Sequence, residues 1–163
     1  MNEITENTKY IDFVEIESFI DQETKDQIIK ASQTKYGDYY DLEVGDFIDF
    51  IDPNTERYKV LDDPDVSVFQ VYWFIGFKEF IENFMKLIQN FTVKETPEEL
   101  AASKNCYPTE FAESMLIFSR SYFGLHSFKE ATHITLGDFI LAKKDAYNST
   151  VFQKTYSNII MKK

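Results

Sequence analysis

Val66-Ser-Val-Phe-Gln-Val-Tyr-Trp-Phe-Ile-Gly-Phe77 is nearly continuous apolar sequence, and after Phe77 the residues Phe80, Ile81, Phe84, Met85, Leu87, Ile88 and Phe91 recur at helical spacing. Taken alone, the β-branched and aromatic residues of 66–75 suit a buried strand. The helical continuation decides the reading: one long central helix over 66–91, capped by Asp65, buried all round at first and amphipathic later. At about 1.5 Å per residue it spans about 39 Å and forms the spine of a mainly α fold. The run without charge is only twelve residues and contains Ser67, Gln70 and Gly76. A membrane span needs about twenty, so none is expected here.

On its N-terminal side this helix is preceded by Leu61-Asp-Asp-Pro-Asp65, a turn-forming stretch where the charge of the chain changes. Residues 1–65 hold 18 Asp and Glu against 6 Lys and Arg, a net of −12; residues 66–163 hold 10 acids against 11 bases, a net of +1. The chain is thus expected to divide into an acidic N-terminal region, 1–65, and a helical core, 66–163, that forms one compact unit. At a net charge of −11 and a pI near 4.6, phosphate backbones and anionic lipid surfaces are repelled, so neither direct nucleic-acid binding nor membrane binding is expected. An acidic region of this kind can steer a basic partner or delay self-association; it can also be a plain solvated surface. Sixteen Phe and ten Tyr in 163 residues exclude a disordered chain and predict an aromatic core or an aromatic interface.

Inside the acidic region, Ile11, Phe13, Val14, Ile16, Phe19 and Ile20 are mixed with acids at no single period, so residues 10–20 fit a strand or a helix and the region can be partly extended. Asp21 caps a helix over about 22–34, with Ile28 and Ile29 as its apolar contacts and Gly37 as its stop. Tyr36, Tyr39 and Tyr40 cluster around that stop. Each ring offers apolar area and a hydroxyl, which suits a partly wet interface as well as a core.

Leu42-Glu-Val-Gly-Asp-Phe-Ile48 is echoed by Ile134-Thr-Leu-Gly-Asp-Phe-Ile140, an identity too short to count as a repeat. The second copy reads as a helix start, with Thr135 at the N-cap, Asp138 three residues on, and Ile134 stapled against Phe139. The first keeps the Leu42 and Phe47 staple pair but has Glu43, a poorer cap. Asp46, Asp49 and Asp52 share a helical face, yet they lack the alternating ligands, Gly turn and terminal Glu of a calcium loop. They read as a solvated face ending in the Asp52-Pro-Asn-Thr turn, and no metal site is expected.

Beyond the spine, Thr96-Pro-Glu-Glu99 combines a capping box with Pro at the first helical position and opens a helix to about Ser103. Pro108-Thr-Glu-Phe111 opens another, with a Phe111, Met115, Phe118, Tyr122 stripe and a stop at Gly124. Ser127-Phe-Lys-Glu130 is a further capping box. Thr135 starts a helix to about Ala146, and Asn148 or Ser149 caps a final one carrying Val151, Phe152, Tyr156, Ile159 and Ile160.

Catalytic chemistry is poorly represented. The chain has no His-Glu-x-x-His helix, no glycine-rich phosphate loop and no Gly-x-Ser-x-Gly elbow. Cys106, His126 and His133 are the residues from which a nucleophile and base could be assembled, but a solitary thiol is the simpler reading. No cofactor is expected. One cysteine makes no intramolecular disulfide, and the polar, acidic first ten residues have neither the basic cap nor the apolar run of a secretory signal, so export is not expected.

The Val44-Gly-Asp-Phe-Ile-Asp49 element followed by a helical core, in an acidic helical protein, resembles small tail-assembly chaperones of tailed bacteriophages. The stretch Tyr122-Phe-Gly-Leu-His-Ser-Phe-Lys-Glu-Ala131 through Thr135-Leu-Gly-Asp-Phe139 is similar to the ending of that group. Tyr147-Asn-Ser-Thr-Val-Phe-Gln153 and the Phe, Tyr, Ile, Lys and Asn bias are similar to virion proteins of gut-bacterial phages, crAss-like ones included. The resemblance implies a non-enzymatic structural or assembly protein of the particle: a tail, head–tail connector or cargo component, or a tail-assembly chaperone. It implies other phage structural or tail proteins as partners, possible homo-oligomers, and a place in the virion or the host cytoplasm. It carries no catalytic residues. Tyr36, Tyr39, Tyr40, Phe152 and Tyr156 are the candidate interface residues, because buried aromatics dominate contact energies. The alternatives are a cellular protein–protein adaptor and a small helical enzyme or ligand-binding domain built on Cys106, His126 or His133.

Overall fold

The computed structural model describes residues 3–163, and among them every regular element is helical. The chain forms two compact units, one made of the described residues up to Leu42 with Asp46–Asn83, the other of Glu43–Gly45 with Phe84–Lys163. The first holds 19 acids against 7 bases and is called here the acidic unit; the second holds 9 against 10 and is nearly neutral. In charge the chain changes at Asp65; in packing it changes at Asn83.

In the acidic unit, the ambiguous stretch is a helix, α1 (Tyr10–Glu17). It has no side-chain cap and is anchored from outside instead. Tyr10 N–H donates to the Val66 carbonyl and Val68 N–H to the Thr8 carbonyl, each at 2.8 Å, so Lys9 and Ser67 pair as an isolated antiparallel bridge. α2 (Gln22–Tyr36) begins where Asp21 accepts the Thr24 N–H at 2.8 Å and ends at Gly37, whose φ of 106° a side chain would resist. A 3-10 turn, Tyr39–Asp41, leads to α3 (Val44–Ile51); a second, Glu56–Asp62, leads to α4 (Val68–Asn90).

α4 is the expected long helix, but Asp65 does not cap it. The Asp65 carboxylate takes the Lys9 ammonium at 2.6 Å. Ser67 is the cap: its hydroxyl accepts the Gln70 N–H at 3.2 Å while the Gln70 side chain accepts the Ser67 N–H at 3.0 Å, a reciprocal box with Gln in the acidic position. The apolar start of α4 is enclosed, as its sequence requires. Val68 and Tyr72 pack against Phe13 of α1 and Ile28 of α2. Trp73 and Phe77 gather Tyr39 and Phe50, with ring centroids 4.8 Å apart for Phe50 and Phe77, 5.3 Å for Trp73 and Phe77, and 5.1 Å for Tyr39 and Trp73.

Polar groups inside this core are paired. Tyr39 donates its hydroxyl to the Trp73 carbonyl at 2.8 Å, and the Trp73 indole donates to the Gly37 carbonyl at 3.0 Å. The hydroxyls of Tyr10 and Tyr72 each donate to a different oxygen of Glu17, both at 2.9 Å. Burial holds the phenols of Tyr10, Tyr39, Tyr58 and Tyr72 above their ordinary range. The folded chain therefore keeps protons that the unfolded chain has released, and this stability, complete below about pH 10, is lost as pH rises through the raised folded values. Unfolding measured against pH is expected to show a decline that begins above about pH 10 and is shallower in Tyr39→Phe. An unchanged alkaline slope in that variant would remove Tyr39 from the account.

In the nearly neutral unit, α5 (Pro97–Ser103) opens with the Thr96 and Glu99 capping box read from the sequence. α6 (Phe111–Tyr122) follows Glu110 without a side-chain cap, and Gly124, at φ 63°, reverses the chain after it. α7 (Phe128–Ala131) starts at Ser127, whose hydroxyl accepts the Glu130 N–H, but the Glu130 carboxylate accepts from His126 N–H rather than from Ser127, so the box is shifted by one residue. α8 (Leu136–Met161) is capped by Thr135, which accepts the Asp138 N–H at 3.2 Å. Thr135→Ala is expected to cost about 1 kcal/mol in chemical unfolding.

The sequence predicted two helices here, the second capped by Asn148 or Ser149. Both lie inside α8, which is continuous. Asn, Ser and Thr interrupt a helix only weakly when no Gly or Pro accompanies them, and Thr150 turns its hydroxyl back onto the Ala146 carbonyl at 2.9 Å. The two echoing heptapeptides meet through Glu43 and Thr135, an isolated antiparallel bridge with Val44 N–H on the Ile134 carbonyl at 2.7 Å and Gly45 N–H on the Thr132 carbonyl at 2.9 Å. A Cβ on Gly45 would stand 2.9 Å from that of Thr132, which explains the glycine. Phe84, Met115, Leu136 and Phe139 form the buried centre. Ser119 is wholly buried there with its hydroxyl unpartnered, so Ser119→Ala is expected to gain about 1 kcal/mol in the same unfolding assay.

Candidate functional site

α8 changes character along its length. Leu136, Phe139 and Ala142 are buried, whereas every residue from Val151 onward is exposed. Phe152 is 67% exposed, Tyr156 55%, Ile159 55% and Ile160 51%. Their spacing of four, three and one residues places them on one face of the helix. The Phe152 and Tyr156 rings stack on each other, centroids 5.9 Å apart and planes 8° from parallel. They form a flat apolar surface that no described residue covers.

The opposite face of the same segment is polar. Gln153, Lys154, Ser157 and Asn158 line a groove of about 510 Å³ with Thr96 and Glu99 at the start of α5. The Glu99 carboxyl is held below its ordinary range, first by the Thr96 N–H and then by the Lys154 charge. So α8 turns its polar side toward its own unit and its apolar side outward, the reverse of a surface helix that is complete by itself. After Asp145 the side-chain charges are Lys154, Lys162 and Lys163, with no acid among them. The projecting segment is therefore apolar and basic.

No family model, curated protein or solved structure matches this chain. The surface must be read from its own residues. Of the five aromatic candidates, the structure leaves Phe152 and Tyr156 on this face. Tyr39 is 5% exposed and belongs to the core, so it is withdrawn as an interface residue. Tyr36 and Tyr40 are half exposed and already engaged: the Tyr36 hydroxyl lies 3.3 Å from that of Ser67, and the Tyr40 ring meets Phe80 edge-on at 5.0 Å. Ile159 and Ile160 join the surface although the sequence did not single them out as interface residues. Their spacing from Phe152 was the available signal, since the sequence already set all four residues on one helix.

Arg57 bridges Asp46 at 2.7 Å and Asp49 at 3.3 Å and lies 4.9 Å above the Phe50 ring, so the cation on that acidic face is supplied by the chain. Asp52 accepts the Asn54 N–H, closing its turn. Cys106 is exposed, and its N–H closes the turn after α5 on the Ser103 carbonyl at 2.9 Å. His133 places Nδ1 3.0 Å from the Glu43 carboxylate, tying the two echoing segments together.

A second feature is an acidic groove. The segment 3–9 and α1 enclose about 680 Å³, lined by Ile4, Phe13 and Ile16 with Glu3 and Asp12 at its edge. Lys9, the cation in its lining, is already held by Asp65. Among the described residues no helix is long and apolar enough to cross a membrane.

Proposed function

We propose that this protein is a non-enzymatic structural or assembly subunit of a tailed phage particle, acting through protein–protein contacts made by the distal half of α8. The observation that carries the interaction reading is the stacked Phe152 and Tyr156 pair, continued by Ile159 and Ile160, on a helical face with nothing packed against it. Apolar faces of this kind at helical spacing are how a helix engages a groove on another protein. The phage assignment rests on the Val44–Asp49 and Thr135–Phe139 elements and the Tyr147–Gln153 segment, and on that resemblance alone.

Quantitative mass spectrometry of purified particles, read as copies of this chain per portal or per tail, tests the assignment. A fixed copy number supports a building block or packaged cargo. Absence from particles with capture of the tail-length protein in lysate supports an assembly chaperone. Absence from both refutes the phage reading and leaves a cellular adaptor. The interaction surface is tested separately by Phe152→Ser with Tyr156→Ser. Stability in urea is expected to stay within about 0.5 kcal/mol of the parent, because both rings are exposed, while incorporation or partner capture falls at least about tenfold. A loss of stability instead of binding would make these rings part of the fold.

A further inference from the structure

We propose that the protein associates head to tail with itself, the distal α8 face of one copy lying in the acidic groove beside α1 of the next. This rests on the interaction reading just given and names the partner of that surface.

Three observations converge on a second copy. The projecting segment has only positive side-chain charges, Lys154 on its polar face and Lys162 and Lys163 following Met161. The groove in the acidic unit has apolar walls, Ile4 and Ile16 among them, and carboxylates at Glu3 and Asp12. Its unit carries a net charge of −12, so a basic helix approaching it is drawn in, whereas approach of another acidic surface is opposed. The apolar and the electrostatic requirements of the two surfaces match, and both surfaces are on the same chain.

Pairing of two α8 ends with each other is the competing arrangement. In a parallel pair it sets Lys162 and Lys163 of one copy against the same residues of the other, and in either direction the apolar stripe from Phe152 to Ile160 is shorter than two heptads, well below what a stable two-stranded coil needs. A helix-in-groove contact suffers neither penalty. Because tail and groove are different surfaces, the contact is heterologous and leaves one tail and one groove free at each step, the condition for a ring or an open filament.

The test uses the full chain in analytical ultracentrifugation. The parent protein is expected to grow in mass with concentration through the micromolar range, less so at high salt. Two double variants each remove one surface: Phe152→Asp with Tyr156→Asp at the tail, and Asp12→Lys with Ile16→Lys at the groove. All four positions are exposed, so folding is retained, and far-ultraviolet circular dichroism confirms it. Each variant alone is expected to weaken association at least about a hundredfold and run as a monomer. Mixed together they are expected to form a one-to-one dimer that grows no further, since the mixture restores one intact tail and one intact groove. Association of the parent without complementation in the mixture overturns the head-to-tail arrangement. A parent that stays monomeric at every concentration overturns self-association while leaving the particle and partner-capture experiments to decide the broader reading.

Discussion

Phe77→Ala is expected to destabilise the acidic unit by about 3–5 kcal/mol, the largest effect of any single truncation in the chain. Phe77 is completely buried and is the ring on which the others converge: Trp73 stacks on it, Phe50 and Tyr39 tilt against it at 4.8 and 5.6 Å, and Phe47 meets it edge-on at 6.4 Å. Removing it empties a space walled by stiff aromatic rings, which cannot collapse as aliphatic neighbours do, so the cavity cost adds to the lost transfer energy. Urea denaturation followed by circular dichroism and Trp73 fluorescence reads the change. A loss below about 1 kcal/mol would mean that the rings rearrange freely and that the core is not the rigid cluster described.

Gly76→Val is expected to cost at least about 3 kcal/mol, against the usual direction for a helix interior. A glycine in mid-helix is normally about 1 kcal/mol worse than alanine, so replacement should help. Here a Cβ would overlap the Tyr39 hydroxyl and stand 2.6 Å from Ile29 Cγ2. Tyr39 cannot retreat without giving up its hydrogen bond to the Trp73 carbonyl and its packing on the rings of Trp73, Phe77 and Phe80. Gly76→Ala provides the sign test in the same assay: a gain in stability would show that Tyr39 and Ile29 move aside easily.

The difference in legibility between these features is physical. The long helix could be read from sequence because Phe77 to Phe91 repeats at helical spacing over several turns, a signal that outweighs the strand preference of Val66 to Ile75. The caps at Asp21, Thr96, Ser127 and Thr135 were legible because a side-chain oxygen three residues before a free N–H acts locally. Asp65 was misread as a cap because its partner, Lys9, comes from a distant part of the chain that no local pattern reveals. α8 was cut in two for the opposite reason: Asn148 and Ser149 look like caps locally, and only the unbroken helical hydrogen bonding shows that they are not. The exposure of the Phe152 and Tyr156 face was illegible because a stripe of apolar residues is identical in sequence whether a core covers it or nothing does.

The paired helix starts bear on the order in which the protein can be made. Lys9 reaches Asp65 across 56 residues, and Glu43 reaches His133 across 90. Each bridge closes a long loop, and closure entropy must be met before the hydrogen bonds reward it. A chain emerging from the ribosome can complete the Lys9 and Ser67 pairing as soon as α4 follows it out. Val44 and Gly45 have to wait with their amide hydrogens unsatisfied until Thr132 and Ile134 have been synthesised. A nascent or truncated chain ending before Thr132 thus presents the Val44 and Gly45 edge to any extended segment nearby.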